Sequence, residues 1–147
     1  MDARNEAARR GDTRALCRLV KAGCQLDSVV CYHAAVGGHL NVLTWARKKG
    51  CPWDVRTCAW AAYNGDLRML EWARARGCPW DEATCEYAAW QGHLAVLQWA
   101  RANGCTWERD MCLTMSTNHT VTDWILSGAG DAGISGTRTK SAAPRVH

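Results

Sequence analysis

The chain has no phenylalanine, three tyrosines and three prolines. No apolar run approaches the length of a membrane span, which excludes a transmembrane helix. The first 20 residues hold Asp2, Arg4, Glu6, Arg9 and Arg10 and no apolar core of a leader, so a secretory signal is not expected and the start reads as a genuine chain start. Cysteine pairs at the tight two-to-four-residue spacing of structural zinc sites are absent. No glycine-rich phosphate loop follows a strand pattern, and no Ser, Cys or carboxylate arrangement recurs with His33 or His119. These absences argue against a metal site, a cofactor and an enzyme.

Excess charge of one sign is also missing. The net charge is +4, and the last twenty residues, with Asp131 against Arg138, Lys140 and Arg145, supply +2 of it. The remaining body reads as ordinary solvated surface with both signs interleaved. It lacks the basic footprint that nucleic-acid binding usually needs.

What is present is a period. Cys78-Pro79-Trp80-Asp81 repeats Cys51-Pro52-Trp53-Asp54 at a step of 27 residues, and Cys24-Gln25-Leu26-Asp27 and Cys105-Thr106-Trp107-Glu108 continue it. Further columns run in register: Cys31, Cys58, Cys85, Cys112; Gly11, Gly38, Gly65, Gly92; Gly23, Gly50, Gly77, Gly104; Leu16, Leu43, Leu70, Leu97; Trp45, Trp72, Trp99. Ala34-Ala35, Ala61-Ala62 and Ala88-Ala89 align as well. A fixed period of this size is the signature of a stacked-repeat solenoid.

Each unit reads as two short helices. Cys58, Ala61 and Ala62 fall on one face of a helix near 55–64. Leu67, Leu70 and Ala73, flanked by Met69 and Trp72, make the apolar stripe of a second helix near 67–76. Arg68, Glu71 and Arg74 lie on its other face at ion-pair spacing. Gly77 is placed to end that helix in the left-handed conformation, Pro79 cannot continue it, and Asp81 is placed to cap the next. Asp12, His39, Asp66 and His93 share one column, which reads as a further helix cap rather than as a catalytic base. Repeats of about 1–27, 28–54, 55–81, 82–108 and a degenerate 109–127 make one domain, 1–127. Residues 128–147 lack periodicity and apolar content and are expected to be a disordered tail.

Nine cysteines are an odd number, and eight follow the repeat columns. Without a leader they suggest a reducing intracellular compartment, with the thiols acting as small core hydrophobes. Equivalent columns in neighbouring helices are expected about 8–10 Å apart, too far for four thiolates to share one zinc. Trp53, Trp80 and Trp107 are expected to pack on the following repeat, with the rim of a binding face as the other reading.

The segment Ala88-Ala89-Trp90-Gln91-Gly92-His93-Leu94-Ala95-Val96-Leu97-Gln98-Trp99, followed by Asn103-Gly104-Cys105, resembles the ankyrin repeat. The likeness covers roughly 3–127 and departs in period, 27 residues rather than 33, and in the family's Thr-Pro-Leu-His start. It resembles the short, Cys-Pro-Trp-rich ankyrin repeats that large DNA viruses and some protists carry in many copies. The resemblance implies an all-α solenoid of about five helix-turn-helix repeats joined by short turns, working as a non-enzymatic protein-interaction module. In that family some members recruit host ubiquitin ligases; no F-box-like segment is present here.

The resemblance also implies that the two residues before the Gly column face the concave binding side: Val36 and Gly37, Tyr63 and Asn64, Trp90 and Gln91, Thr117 and Asn118. Aromatics gather at these and the neighbouring variable first-helix positions. The candidate partner-binding set is Tyr32, Trp60, Tyr63, Asn64, Glu86, Tyr87, Trp90 and Gln91. Rigidly held Tyr and Trp are preferred interface anchors; the alternative is that these rings fill gaps between adjacent first helices. The expected partner is a protein, with no nucleic acid and no membrane, and the chain is expected to be a monomer. Two further readings stay open: a cysteine-based redox or metal-responsive protein, and a structural repeat copy without a specific partner.

Overall fold

Short apolar stripes interrupted every ten residues or so by glycine can build only short helices, and ten of them account for the described part of the chain. The computed structural model describes residues 2–131. The helices are α1 (Ala3–Arg10), α2 (Thr13–Lys21), α3 (Ser28–Gly37), α4 (Leu40–Lys48), α5 (Val55–Tyr63), α6 (Leu67–Ala75), α7 (Glu82–Trp90), α8 (Leu94–Ala102), α9 (Arg109–Met115) and α10 (His119–Leu126), followed by a 3-10 turn at Ala129–Asp131. No strand element occurs among the described residues, so this part of the protein is all-α. None of the described helices is long and apolar enough to cross a membrane. The expected pair near 55–64 and 67–76 is present with ends within a residue or so.

The described residues divide into two compact units, one formed by 2–61 with 68–79 and the other by 62–67 with 80–131. In the first, α1 packs on α2 and on α3, and α3 packs on α4. Ala7, Ala8, Ala34 and Ala35 are fully buried there, with Leu16, Leu43 and Cys31. Such small side chains let first helices approach closely, since interaxial distance follows side-chain size. In the second, α7 packs on α8 and α9, and the 3-10 turn packs on α8 and α10. Ala88, Ala89, Cys85, Leu97, Cys112 and Ile125 form its core.

The turns are built as the period predicts. Gly77 has φ +83°, and the Asp81 carboxylate accepts from the Ala83 N–H at 3.1 Å. Asp27 and Asp54 do the same for Val29 (3.1 Å) and Arg56 (3.0 Å). Satisfying an orphan N–H in this way stabilises a helix by about 1 kcal/mol. Each turn tryptophan packs edge-on against a second-helix tryptophan of the following repeat. Ring centroids are 5.9 Å apart for Trp53 and Trp72, 5.9 Å for Trp80 and Trp99, and 6.1 Å for Trp107 and Trp124.

An arginine column escaped the sequence reading, although its period is the same 27 residues. Arg47, Arg74 and Arg101 each donate to the carbonyl of the cysteine four residues on, at 2.5, 2.6 and 2.5 Å. Arg74 therefore closes a turn and is more than a solvated member of an ion-pair face. The guanidinium carbons of Arg47 and Arg101 also lie 4.2 and 4.5 Å from the Trp53 and Trp107 ring centroids.

Three other expectations change. The shared Asp/His column is not a uniform cap: Asp12 accepts from the Ala15 N–H at 2.9 Å, but neither His39 nor His93 caps its helix through the side chain. Instead His93 Nε2 donates to the Tyr63 carbonyl at 3.0 Å. The ring stands so close to Gly65, which has φ +71°, that a Cβ there would meet His93 Nδ1 at 2.6 Å. The folded body also continues past 127. Gly130 is buried, and Arg101 Nε donates to its carbonyl at 3.0 Å. The rest of the expected tail, 132–147, lies outside the described residues.

Charges, finally, are segregated rather than interleaved. The first unit holds thirteen Lys and Arg against six Asp and Glu, a formal +7. The described residues of the second unit hold two Arg against eight Asp and Glu, a formal −6.

Candidate functional site

The eight candidate residues fall into two clusters, one per unit. In the first unit, Tyr32 on α3 and Trp60 on α5 meet at 6.0 Å between centroids in an edge-on arrangement, both half-buried. A basic residue that sequence reasoning missed completes this cluster. The Arg56 guanidinium carbon lies 4.9 Å from the Tyr32 centroid, and Arg56 Nη2 pairs with Asp54 Oδ2 at 2.8 Å. The Arg56 guanidinium hydrogen-bonded to it holds the Asp54 carboxyl below the ordinary carboxylate range. Tyr32 also lies 4.8 Å from the buried His33 ring, whose Nδ1 accepts from Arg9 Nη2 at 3.1 Å. Burial first, then the Arg9 and Arg56 cations, push the His33 pKa down.

In the second unit, three rings meet. Tyr63 lies 5.9 Å from Tyr87 and 5.6 Å from Trp90, and Tyr87 lies 6.2 Å from Trp90. The interplanar angles are 80°, 78° and 65°, so each pair is edge-to-face. Such pairs stabilise by about 0.5–1.5 kcal/mol beyond their buried area. Tyr63 and Tyr87 are half-buried, while Trp90 keeps 41% of its surface in solvent. The rings thus brace one another and also present an indole to water. The Trp90 carbonyl, an orphan at the end of α7, accepts from Thr117 Oγ1 at 3.0 Å. Asn64 and Gln91 are exposed.

Glu86 is half-buried on α7, four residues before Trp90 and four after Glu82. Residues at that spacing are neighbours on a helix surface. Burial, and then the charges of Glu82, Asp81 and Glu108, push the Glu86 carboxyl above its ordinary range. Glu82 Oε2 in turn accepts from Thr106 Oγ1 at 3.3 Å.

The cysteine columns meet each other rather than only their own kind. Cys31 Sγ donates to Cys51 Sγ at 3.6 Å, and Cys51 Sγ donates to the Asp27 carbonyl at 3.1 Å. Cys78 and Cys105 make the same link to the carbonyls of Asp54 (3.6 Å) and Asp81 (3.4 Å). The neighbouring thiol and burial push Cys31, Cys78 and Cys85 upward, and burial raises Cys112 to about 12. All are buried, and the thiols of Cys51, Cys78 and Cys105 bridge a turn to a cap. Cys17 and Cys24, both in the first unit, are partly exposed.

Apolar side chains also reach solvent at the last helices, Met111 on α9 and Leu126 on α10. No protein-family model matches the chain, and a search of curated proteins finds no relative.

Proposed function

We propose that the chain is a non-enzymatic protein-binding module, built as an ankyrin-like solenoid of about five helix-turn-helix repeats over 1–127, acting as a monomer. Its partner surface is the first-helix face around Tyr63, Tyr87 and Trp90, extended by Asn64, Glu86 and Gln91, with Tyr32 and Trp60 on the corresponding positions of the first unit. The observation that carries this reading is the exposed Trp90 indole held edge-on by two tyrosines. Exposed aromatic surface on a preorganised helix loses little entropy on binding. The variable character of these positions within an otherwise strict period supports it too.

The reading is tested by co-precipitation from lysate with wild type beside Tyr63→Ala/Trp90→Ala, the variant first shown to be helical and cooperative by circular dichroism. A partner held by the wild type and lost by the folded variant supports the surface. A partner held equally by both places the binding surface elsewhere. A variant that is strongly destabilised would make the rings core.

A second reading, thiol-based redox response, has one observation in its favour: the Cys31 and Cys51 sulfurs in contact at 3.6 Å. Their burial stands against it: the hydrogen bond between them pushes Cys31 up and Cys51 down, but neither sulfur reaches solvent, where a thiolate would react.

A further inference from the structure

The protein displays on itself how an arginine can be held. In the first unit the Arg56 guanidinium lies against the Tyr32 ring at 4.9 Å and pairs with the Asp54 carboxylate at 2.8 Å. Guanidinium carbons also stack at 4.2 Å over Trp53, 4.5 Å over Trp72 and 4.5 Å over Trp107. Ring face plus carboxylate is a recurrent seat for the planar, delocalised guanidinium, which is more weakly hydrated than an ammonium.

The second unit has the ring and the carboxylates. One period after Arg56 the residue is Ala83, so α7 brings no guanidinium of its own at that step. Glu82 and Glu86 stand one helical turn apart, Glu86 stands one turn before Trp90, and Trp90 is 41% exposed. Among the described residues, Glu86 is acted on by burial, Glu82, Asp81 and Glu108, with no basic side chain among them. The unit's formal charge over its described residues is −6, opposite to a basic ligand.

We propose that the α7 face of Glu82, Glu86 and Trp90, with Tyr87 and Tyr63 against the indole, docks a basic segment of a partner protein by seating an arginine between the Trp90 ring and the Glu86 carboxylate. The proposal rests on the reading of this cluster as a partner surface and gives that partner a chemistry. Trp90 supplies the ring face, Glu86 the charge-assisted hydrogen bonds, and Glu82 and the surrounding carboxylates steer the approach of the segment. An arriving guanidinium favours ionised Glu86, so docking weakens as pH falls through the range where this carboxyl protonates.

The test uses the full-length chain and a fluorescein-labelled peptide of alternating arginine and serine, followed by anisotropy at low and at physiological salt. Matching peptides carry lysine or citrulline in place of arginine. Expected is saturable binding of the arginine peptide, weaker binding of the lysine peptide and none of the citrulline peptide. Trp90→Ala weakens binding about tenfold, as loss of a partly desolvated cation–π contact would. Glu86→Gln weakens it less, and Glu86→Lys, at a position able to reach solvent, abolishes it without loss of helicity.

Equal binding of arginine and lysine peptides with no effect of Trp90→Ala overturns the proposal in favour of diffuse attraction by the acidic unit. Binding that Glu86→Lys leaves intact overturns it as well. If an Arg138→Gln/Lys140→Gln/Arg145→Gln chain binds the peptide where wild type does not, the occupant is the chain's own C-terminal segment and the partner assignment falls. Concentration-dependent self-association in sedimentation, abolished by Glu86→Lys, would make the occupant a second copy. If the arginine peptide is ignored while a captured partner is still lost by Tyr63→Ala/Trp90→Ala, the surface stands and its cationic chemistry is wrong.

Discussion

The two units carry the same 27-residue sequence period and differ in how their ring clusters are finished. The first carries a formal +7, and its Tyr32–Trp60 pair is completed from within by Arg56, itself held by Asp54. The second carries a formal −6 over its described residues, and its Tyr63–Tyr87–Trp90 cluster ends in an exposed indole beside Glu86. A repeat fixes where a ring stands; the few variable residues around it decide whether the ring is satisfied by the chain or offered to something else. The positions that break the period, rather than those that keep it, are what distinguish the two clusters.

The arginine column sharpens the comparison most. Arg47 and Arg101 make the same turn contact, but Arg101 is 1% exposed and also holds the Gly130 carbonyl, while Arg47 is half-exposed. Arg101→Ala leaves buried carbonyls without a donor and should cost roughly 3 kcal/mol, a Tm fall of about 6–12 °C. Arg47→Ala should cost about 1 kcal/mol. Thermal melts that show equal losses would mean that Ala129–Asp131 adds nothing to the second unit.

Next in size is Gly65. Alanine there must adopt positive φ and displace the His93 ring, for about 2 kcal/mol. At Gly77, where φ is +83° and nothing lies within reach of a Cβ, only the conformational part of roughly 1 kcal/mol remains. In denaturant melts, Gly65→Ala/His93→Ala should cost less than the sum of its two single changes. Strict additivity would show that the ring and the glycine do not touch.

Thiol accessibility separates the units without changing stability. Brief alkylation of native protein, located by mass spectrometry, should modify Cys17 and Cys24 in the first unit and leave Cys85, Cys105 and Cys112 in the second untouched. All nine should react after unfolding. Rapid native labelling at Cys31 or Cys51 would revive the redox reading.

The smallest effect concerns Glu86. Its folded pKa is raised, so the native state holds this proton to higher pH than the unfolded chain does. Stability from this group is therefore full below the unfolded carboxyl value and is lost as pH rises through the folded one. Glu86→Gln should stabilise the isolated protein slightly at pH 7 and not at pH 3, read as a Tm difference. A variant less stable than wild type at pH 7 would mean that Glu86 has a cationic partner within the chain. His33 works in the opposite direction: its pKa is depressed, so its contribution is full above its unfolded value and is lost as pH falls below that value.

Much of the fold was legible in the sequence because repetition samples the same local rule several times. The left-handed glycines, the aspartate caps at 27, 54 and 81, and the alternation of two short helices are local events within a few residues, and each was written into a column. The Cys31–Cys51 contact was not legible, because same-column spacing says nothing about how two different columns cross. The histidine column misled for a related reason: Asp12 bonds its own helix, whereas His93 reaches a carbonyl thirty residues away.

The candidate site divides along the same line. By itself the sequence determined the all-α class, the helix pair near 55–64 and 67–76 and the choice of variable aromatic positions, because period and turn chemistry are properties of neighbouring residues. Only the tertiary structure decided that Trp90 reaches solvent while Tyr63 and Tyr87 brace it. It also decided that Arg56 closes the first cluster, that Arg101 anchors 129–131, and that charge divides between the units. Each of these depends on which side chains from distant turns arrive at one place. Burial, edge-to-face ring geometry and desolvation of a charge exist only once they have arrived.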